Sequence, residues 1–252
     1  MKLKDGQISL STSQDRKTYI KLRKLLDKGL DLAGNNWNWP IAGYLTLPTM
    51  QRILNLAWIY DLQIKSSGCI MEFGVHFGSA FAQLINLRSM LEPYNFSRHI
   101  HGFDTFEGFP ELSNKDISKN SDHVKVGDLS ADTYEELIGL SEIHDSTRYL
   151  GHIPKVKLIK GNAVNTIPSF IEDHPHLLVS LLYLDFDLYE PTKIALESFF
   201  PLMPKGAVIV FDELDNPLWP GETKAMLEFC NDMKLQIERL PYDPYVGFAV
   251  IK

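Results

Sequence analysis

The sequence predicts an α/β fold: a mostly parallel, seven-stranded sheet with helices on both faces and an antiparallel hairpin at its C-terminal edge. Three observations predict it. Five short apolar runs, at 69–73, 99–103, 156–160, 179–185 and 207–211, alternate with segments of helical period. Strands separated by helical crossovers form parallel sheets buried on both faces. The last two runs, 235–240 and 246–251, are joined only by Pro241-Tyr-Asp-Pro244, too short for a crossover, so they should pair as a hairpin. The first strand, moreover, ends in a glycine turn, Gly74 to Gly78, of the kind that lets a ligand approach the backbone.

Each element has its own warrant. Residues 15–30 place Ile20, Leu22, Leu25, Leu26 and Leu30 at helical spacing, and 48–64 does the same with Leu54, Ala57, Trp58 and Leu62. Between them, Gly34 to Pro40 is turn chemistry carrying Trp37 and Trp39. Further helices are expected at 79–91, 132–143, 164–173, 191–200 and 222–234. We divide the chain into an N-terminal helical cap, 1–65, and a sheet domain, 66–252. Residues 111–155 are polar, irregular and longer than compact connections need, so they form either a lid over a site or a solvated excursion.

The 252 residues suffice for one fully packed domain, and 44% hydrophobic with 23% charged residues is an ordinary globular balance. A net charge of -7 argues against nucleic acid or an acidic membrane surface as partner. Cys69 and Cys230 fall in a strand and a helix, as small core residues and not as a disulfide or zinc framework. No run reaches transmembrane length and the N-terminus lacks a signal-peptide core, so a cytoplasmic protein is expected.

The first strand end reads Glu72-x-Gly74-x-x-x-Gly78, followed by a helix from Ser79. Its spacing differs from the dinucleotide fingerprint, and an acid stands where a pyrophosphate needs neutral donors. A carboxylate there suits a cationic, amine-bearing cofactor such as S-adenosylmethionine. The plainer alternative is a strand-to-helix turn with a solvent-facing Glu72. Ligands of open α/β sheets bind beyond the carboxyl ends of the strands, and every parallel strand here delivers polar groups to that rim. Asp104, with Thr105 and Phe106 after it, is placed to accept both hydroxyls of a ribose. Gly161, Asn162 and Ala163 could receive an adenine edge, and Asp185, Asp212 and Glu213 end the fourth and fifth strands.

If those last two strands are neighbours, their carboxylates converge, and unpaired like charges would raise one pKa. A hard cation such as Mg²⁺ or Ca²⁺ would resolve the conflict and could lower the pKa of a substrate hydroxyl. Helix capping or ordered water would explain the same acids. His76, inside the turn, is a weaker candidate for a general base, and Trp37, Trp39 and Trp219 are either cleft walls or packing anchors.

Five segments together resemble the TylF (macrocin O-methyltransferase) family over about residues 48–252. They are the turn at 72–75, Asp104 to Pro110, Leu184-Asp-Phe-Asp-Leu-Tyr-Glu-Pro-Thr192, the strand end at 211–213 and Pro220 to Ala225. The resemblance implies a Rossmann-like class I methyltransferase that uses S-adenosylmethionine to methylate hydroxyls of sugar-containing small molecules. It implies that Glu72 and Gly74 face the methionine end and Asp104 the ribose, with Val75, Gly78, Ser79, Thr105 and Phe106 also in the cofactor site. Gly161, Asn162, Ala163 and Asp185 would complete the cofactor site, with Asp185 as catalytic base and Asp185, Asp212 and Glu213 as Mg²⁺ ligands. The family usually has Asp-Asp where this chain has Asp212-Glu213, which puts the metal in question. Pairing of copies through the N-terminal helices is also expected. N- or C-methylation, an NAD-dependent oxidoreductase on the same sheet, and a non-catalytic binding protein are the alternatives.

Overall fold

A computed structural model describes residues 12–119 and 124–252. Contacts divide the chain into two compact units, Met1–Leu54 and Asn55–Lys252. The first carries helix α1 (Ser13–Ala33), two short 3₁₀ turns (Gly34–Asn36 and Ile41–Tyr44) and the start of α2 (Leu47–Gln63). Thr12 and Asp15 form a reciprocal cap on α1, the Asp15 amide donating to the threonine hydroxyl at 3.2 Å and the Thr12 amide to the carboxylate at 2.8 Å. No α1 residue is buried, and Trp37 and Trp39 stand largely exposed, so neither is a packing anchor within the described chain. This division falls inside α2, and Leu56, Ile59 and Tyr60 belong to a core cluster of the second unit.

The second unit holds β1 (Cys69–Phe73), α3 (Ser79–Leu91), β2 (Ile100–Asp104), α4 (Tyr134–Ser146), β3 (Val156–Lys160) and α5 (Ala163–Asp173). It continues with β4 (Val179–Leu184), α6 (Tyr189–Phe199), β5 (Val208–Phe211), α7 (Pro220–Met233), β6 (Glu238–Arg239) and β7 (Gly247–Val250). The sheet order is β3-β2-β1-β4-β5-β7-β6, with β5–β7 and β7–β6 antiparallel and all other pairs parallel. The expected seven-stranded sheet and its terminal hairpin are therefore both present. β6 is only two residues long. Leu235 donates back to the Cys230 carbonyl at 2.9 Å, so the segment before β6 closes α7 instead of pairing along the sheet.

Strand residues alternate between the two faces. Met71 and Phe73 join the core covered by α5, α6 and α7, and Ile70 joins the one covered by α2 and α3. Both cysteines are free thiols, Cys230 buried and Cys69 partly so. α6 and α7 start two residues earlier than expected. Pro220 opens α7, where a missing backbone N–H costs nothing, so 220–225 is the first part of a helix.

Candidate active site

Beyond the carboxyl ends of the parallel strands lies a cleft lined by Gly74 and His76, Asp104 and Thr105, Gly161 to Ala163, and Asp185 to Leu188. Gly108 to Pro110, Leu129 and Pro191 complete its wall. The strand-switch position creates it. β1 is central, with the chain turning to β2 on one side and to β4 on the other.

Gly74 is required by geometry. Its φ is +84°, and a Cβ there would collide with the Asp185 carbonyl, which closes over the end of β1. Asp185 donates its own amide to the Phe73 carbonyl at 2.9 Å, and Gly74 donates to Phe103 at 2.9 Å, so the ends of three strands are fastened together. Asp104 is held from two sides: Oδ2 accepts the His76 amide at 2.8 Å and Oδ1 accepts the Phe106 amide at 2.6 Å. Each carboxylate oxygen keeps a further lone pair for a ligand hydroxyl. Asn162 caps α5, its side chain accepting from the Val164 amide at 3.1 Å, and Gly161 donates to the Asp104 carbonyl at 2.9 Å. His76 has its proton affinity lowered by burial, against the pull of Asp104.

Other expected cofactor residues are not among those lining the cleft. Glu72 is 1% exposed and flanked in the sheet by Gly102 and Tyr183, so the solvent-facing alternative is overturned. Val75 and Phe106 are core residues; Gly78 adopts the left-handed cap of α3 against Leu137, and Ser79 is exposed on the first turn.

Asp187, two residues past Asp185, stands in the sequence within the Asp-x-Asp motif of 184–192. It lies in the cleft wall with φ +61°. Its proton affinity is raised well above the carboxylate range by burial and by Glu213, Glu222 and Asp212. Glu222, wholly buried in the first turn of α7, is pushed up to about 8, chiefly by burial. The Asp-x-Asp spacing was the legible signal for Asp187, while nothing in the sequence distinguished Glu222.

The insertion supplies part of the wall. Phe109 donates to the Asp128 carbonyl at 3.0 Å, Gly127 donates to the Phe109 carbonyl at 2.9 Å, and the Thr133 hydroxyl donates to the His76 carbonyl at 2.7 Å. Leu129 is thereby set against the cleft, a role no sequence signal announced. The described part of 111–155 thus lends Leu129 to the cleft wall and buries Asp116, Ala131 and Leu137, while most of its other residues stay exposed or half-buried. Asp145, in α4, fastens it to α3 through Arg88 at 2.9 Å and pairs within the insertion with Arg148 at 2.6 Å. His76, Leu129 and Asp187, all lining the cleft, and Phe106 beside it have positive φ. Such conformations cost about 1–3 kcal/mol each and persist where surrounding structure enforces them, commonly at functional sites.

The expected metal ligands do not gather. β4 and β5 are neighbours as required. Yet, among the described residues, no group of three or more His, Cys, Asp or Glu side chains is arranged to hold a metal ion. Asp212 accepts the Tyr183 hydroxyl and Glu213 accepts the Asn216 amide, which engages each carboxylate locally. The three acids offer suitable donor atoms for a hard cation but do not form such a group.

Residues 4–242 match the macrocin-O-methyltransferase (TylF) family. The chain belongs to the TylF family. Membership reaches into the N-terminal unit, which the resemblance at 48–252 had left out. A crystal structure of CalS11, calicheamicin methyltransferase, superposes with a TM-score of 0.90 at 31% identity, covering 96% of this chain and 94% of that one. The apo structure of CalS11, described as a TDP-rhamnose 3'-O-methyltransferase, gives 0.79 at 30% identity, covering 96% of both chains. A curated relative from Streptomyces olivaceus, 8-demethyl-8-(2,3-dimethoxy-alpha-L-rhamnosyl)-tetracenomycin-C 4'-O-methyltransferase, is 24% identical over 183 residues. That match spans 70% of this chain and 64% of the relative's length.

Proposed function

We propose that the chain transfers the methyl group of S-adenosylmethionine to a hydroxyl of a sugar-containing small molecule. The observation that carries this is a cleft that joins Gly74, Asp104 and 161–163 to the carboxylates Asp185 and Asp187. The glycine turn and Asp104 would hold the methionine and ribose parts of the cofactor, and the segment after β4 would face the acceptor. In the reaction the acceptor oxygen forms a bond to the methyl carbon as the carbon–sulfur bond breaks. The sulfonium becomes the neutral thioether of S-adenosylhomocysteine, and the hydroxyl proton passes to a carboxylate. Catalysis comes mainly from alignment of oxygen, carbon and sulfur.

Asp185 is the proposed proton acceptor. Asp187 is a second candidate, because it lines the same cleft two residues beyond Asp185. Relatives named for rhamnose derivatives support a deoxyhexose acceptor, presented as a nucleotide sugar or a glycoside. A Mg²⁺ requirement would need Asp185, Asp212 and Glu213 to rearrange.

The proposal includes self-association through the N-terminal unit. Ile20, Leu32, Trp39 and Leu47 are each more than half exposed there. Met1–Leu54 carries nine basic against four acidic residues, and Asn55–Lys252 sixteen against 28, so a basic, apolar surface on one copy suits an acidic one on another. No described helix is long and apolar enough to cross a membrane, and a cytoplasmic location is proposed with this reading.

The test is turnover of methyl-labelled S-adenosylmethionine with TDP-rhamnose and with rhamnosides, before and after chelation. Label in the sugar, lost in Asp185→Ala, supports the proposal. No label in any sugar, with label in an amine or carbon acceptor, would replace it with N- or C-methylation.

A further inference from the structure

α6 begins without a cap of its own: Leu188, at the capping position, offers no side-chain hydrogen bond. The cap arrives from 73 residues away. Asp116, 3% exposed and part of the insertion, accepts the Tyr189 amide on Oδ1 at 2.6 Å. Its other oxygen accepts the Ser113 amide and hydroxyl, each at 2.7 Å, which fixes the carboxylate's direction. A carboxylate at a helix N-terminus satisfies an orphan donor and meets the positive end of the helix dipole.

The same spot is gripped from α7. Gly221 packs so closely that a Cβ would collide with the Asp116 carboxylate and come within 2.6 Å of the Tyr189 nitrogen and 2.8 Å of the Asp187 carbonyl. The Glu222 amide donates to that carbonyl at 3.3 Å. Neighbours of Asp116 secure the strap. Lys115 pairs with Glu228 at 2.7 Å and lies 3.8 Å over the Tyr189 ring, and the Ser118 hydroxyl donates to the Pro217 carbonyl at 2.9 Å. Asp187, with its left-handed backbone, is therefore held between a segment of the insertion and the first turn of α7.

We propose that Asp116 is a positioning residue for the methyl-transfer step: it fixes the segment Asp185–Tyr189 in the conformation that presents both carboxylates to the cleft. This rests on the reading of those carboxylates as the acceptor end of the site. Asp116 is not among the residues lining the cleft, so its effect belongs to alignment and not to cofactor binding.

The test uses the full-length protein with Asp116→Ala, Asp116→Asn and Gly221→Ala. Hydrogen exchange needs no acceptor: Asp116→Ala should speed exchange across 184–190 while 69–78 stays as in wild type. In turnover with TDP-rhamnose, Asp116→Ala should lose about 10- to 100-fold in kcat, the scale of a misalignment near 1 Å, while its Kd for S-adenosylhomocysteine changes less than about threefold. Asp116→Asn keeps an acceptor for Tyr189 and should recover most of kcat. Gly221→Ala, whose backbone tolerates alanine, should reproduce the Asp116→Ala loss by displacing the same contact. Unchanged exchange at 184–190 overturns the proposal, as does a kcat loss matched by equal weakening of cofactor binding and not rescued by asparagine. Failure of wild type to bind S-adenosylhomocysteine would instead sink the methyltransferase reading, while the exchange result still decides whether Asp116 holds the loop.

Discussion

In Met1–Leu54, α1 runs for 21 residues without burying one of its own side chains, whereas in Asn55–Lys252 every residue of β4 and β5 is buried. The first unit is basic and the second strongly acidic. Helices without tertiary burial draw little stability from packing, so the first unit contributes surface while the second contributes stability and the cleft. The difference locates where substitutions should cost folding and where they should cost association.

The largest effect should come from the core beneath the cleft. Phe103 is fully buried and stacks on Phe73 with ring centroids 4.8 Å apart. Phe103→Ala should lose about 3–5 kcal/mol in denaturant unfolding. A loss like that of a surface site would break the assignment of stability to this unit.

Glu222 gives a pH signature in the same unit. Its folded-state pKa, about 8, lies above the ordinary 4.5. Between those values the folded protein binds more protons than the unfolded chain, so stability falls as pH rises from about 4.5 to about 8. At about 1.4 kcal/mol per pKa unit the total is a few kcal/mol. Glu222→Gln should match wild type near pH 5 and exceed it at pH 8, as read by Tm across that range. A residual slope of the same sign is expected from Asp187.

A smaller effect tests the cleft without the core. Asp104→Ala removes the acceptor for the His76 and Phe106 amides and, on the proposed function, for the ribose hydroxyls. Its Kd for S-adenosylhomocysteine should rise by at least about tenfold, the equivalent of roughly 1.4 kcal/mol.

The smallest expected change in folding is in the N-terminal unit. Trp39→Ser, at a residue 79% exposed, should shift unfolding by no more than about 0.5 kcal/mol. It should nonetheless lower the mass seen by light scattering at a given concentration. An unchanged, monomeric mass in both proteins would remove self-association from the proposal.

The two units also differed in how much of them could be read. Short runs between segments of helical period placed all seven strands, because strands of a covered sheet favour apolar residues. Gly74 and the strand-end acids were legible because a tight turn and a polar rim need particular residue types. Leu129 was not, since a leucine in a polar insertion reaches the cleft only through pairing of 109 with 127–128. Glu222 was hidden for a similar reason: burial, invisible in sequence, is what alters its proton affinity. The convergence of Asp185, Asp212 and Glu213 failed because adjacency of strands does not fix side-chain direction. Tyr183 and Asn216 already engage two of the three.

Calorimetric titration with S-adenosylhomocysteine most directly tests the claim that this cleft is a methyl-donor site. The account predicts saturable micromolar binding, weakened in Asp104→Ala and kept in Asp185→Ala. Absence of binding in wild type, or binding of NAD in its place, would contradict it.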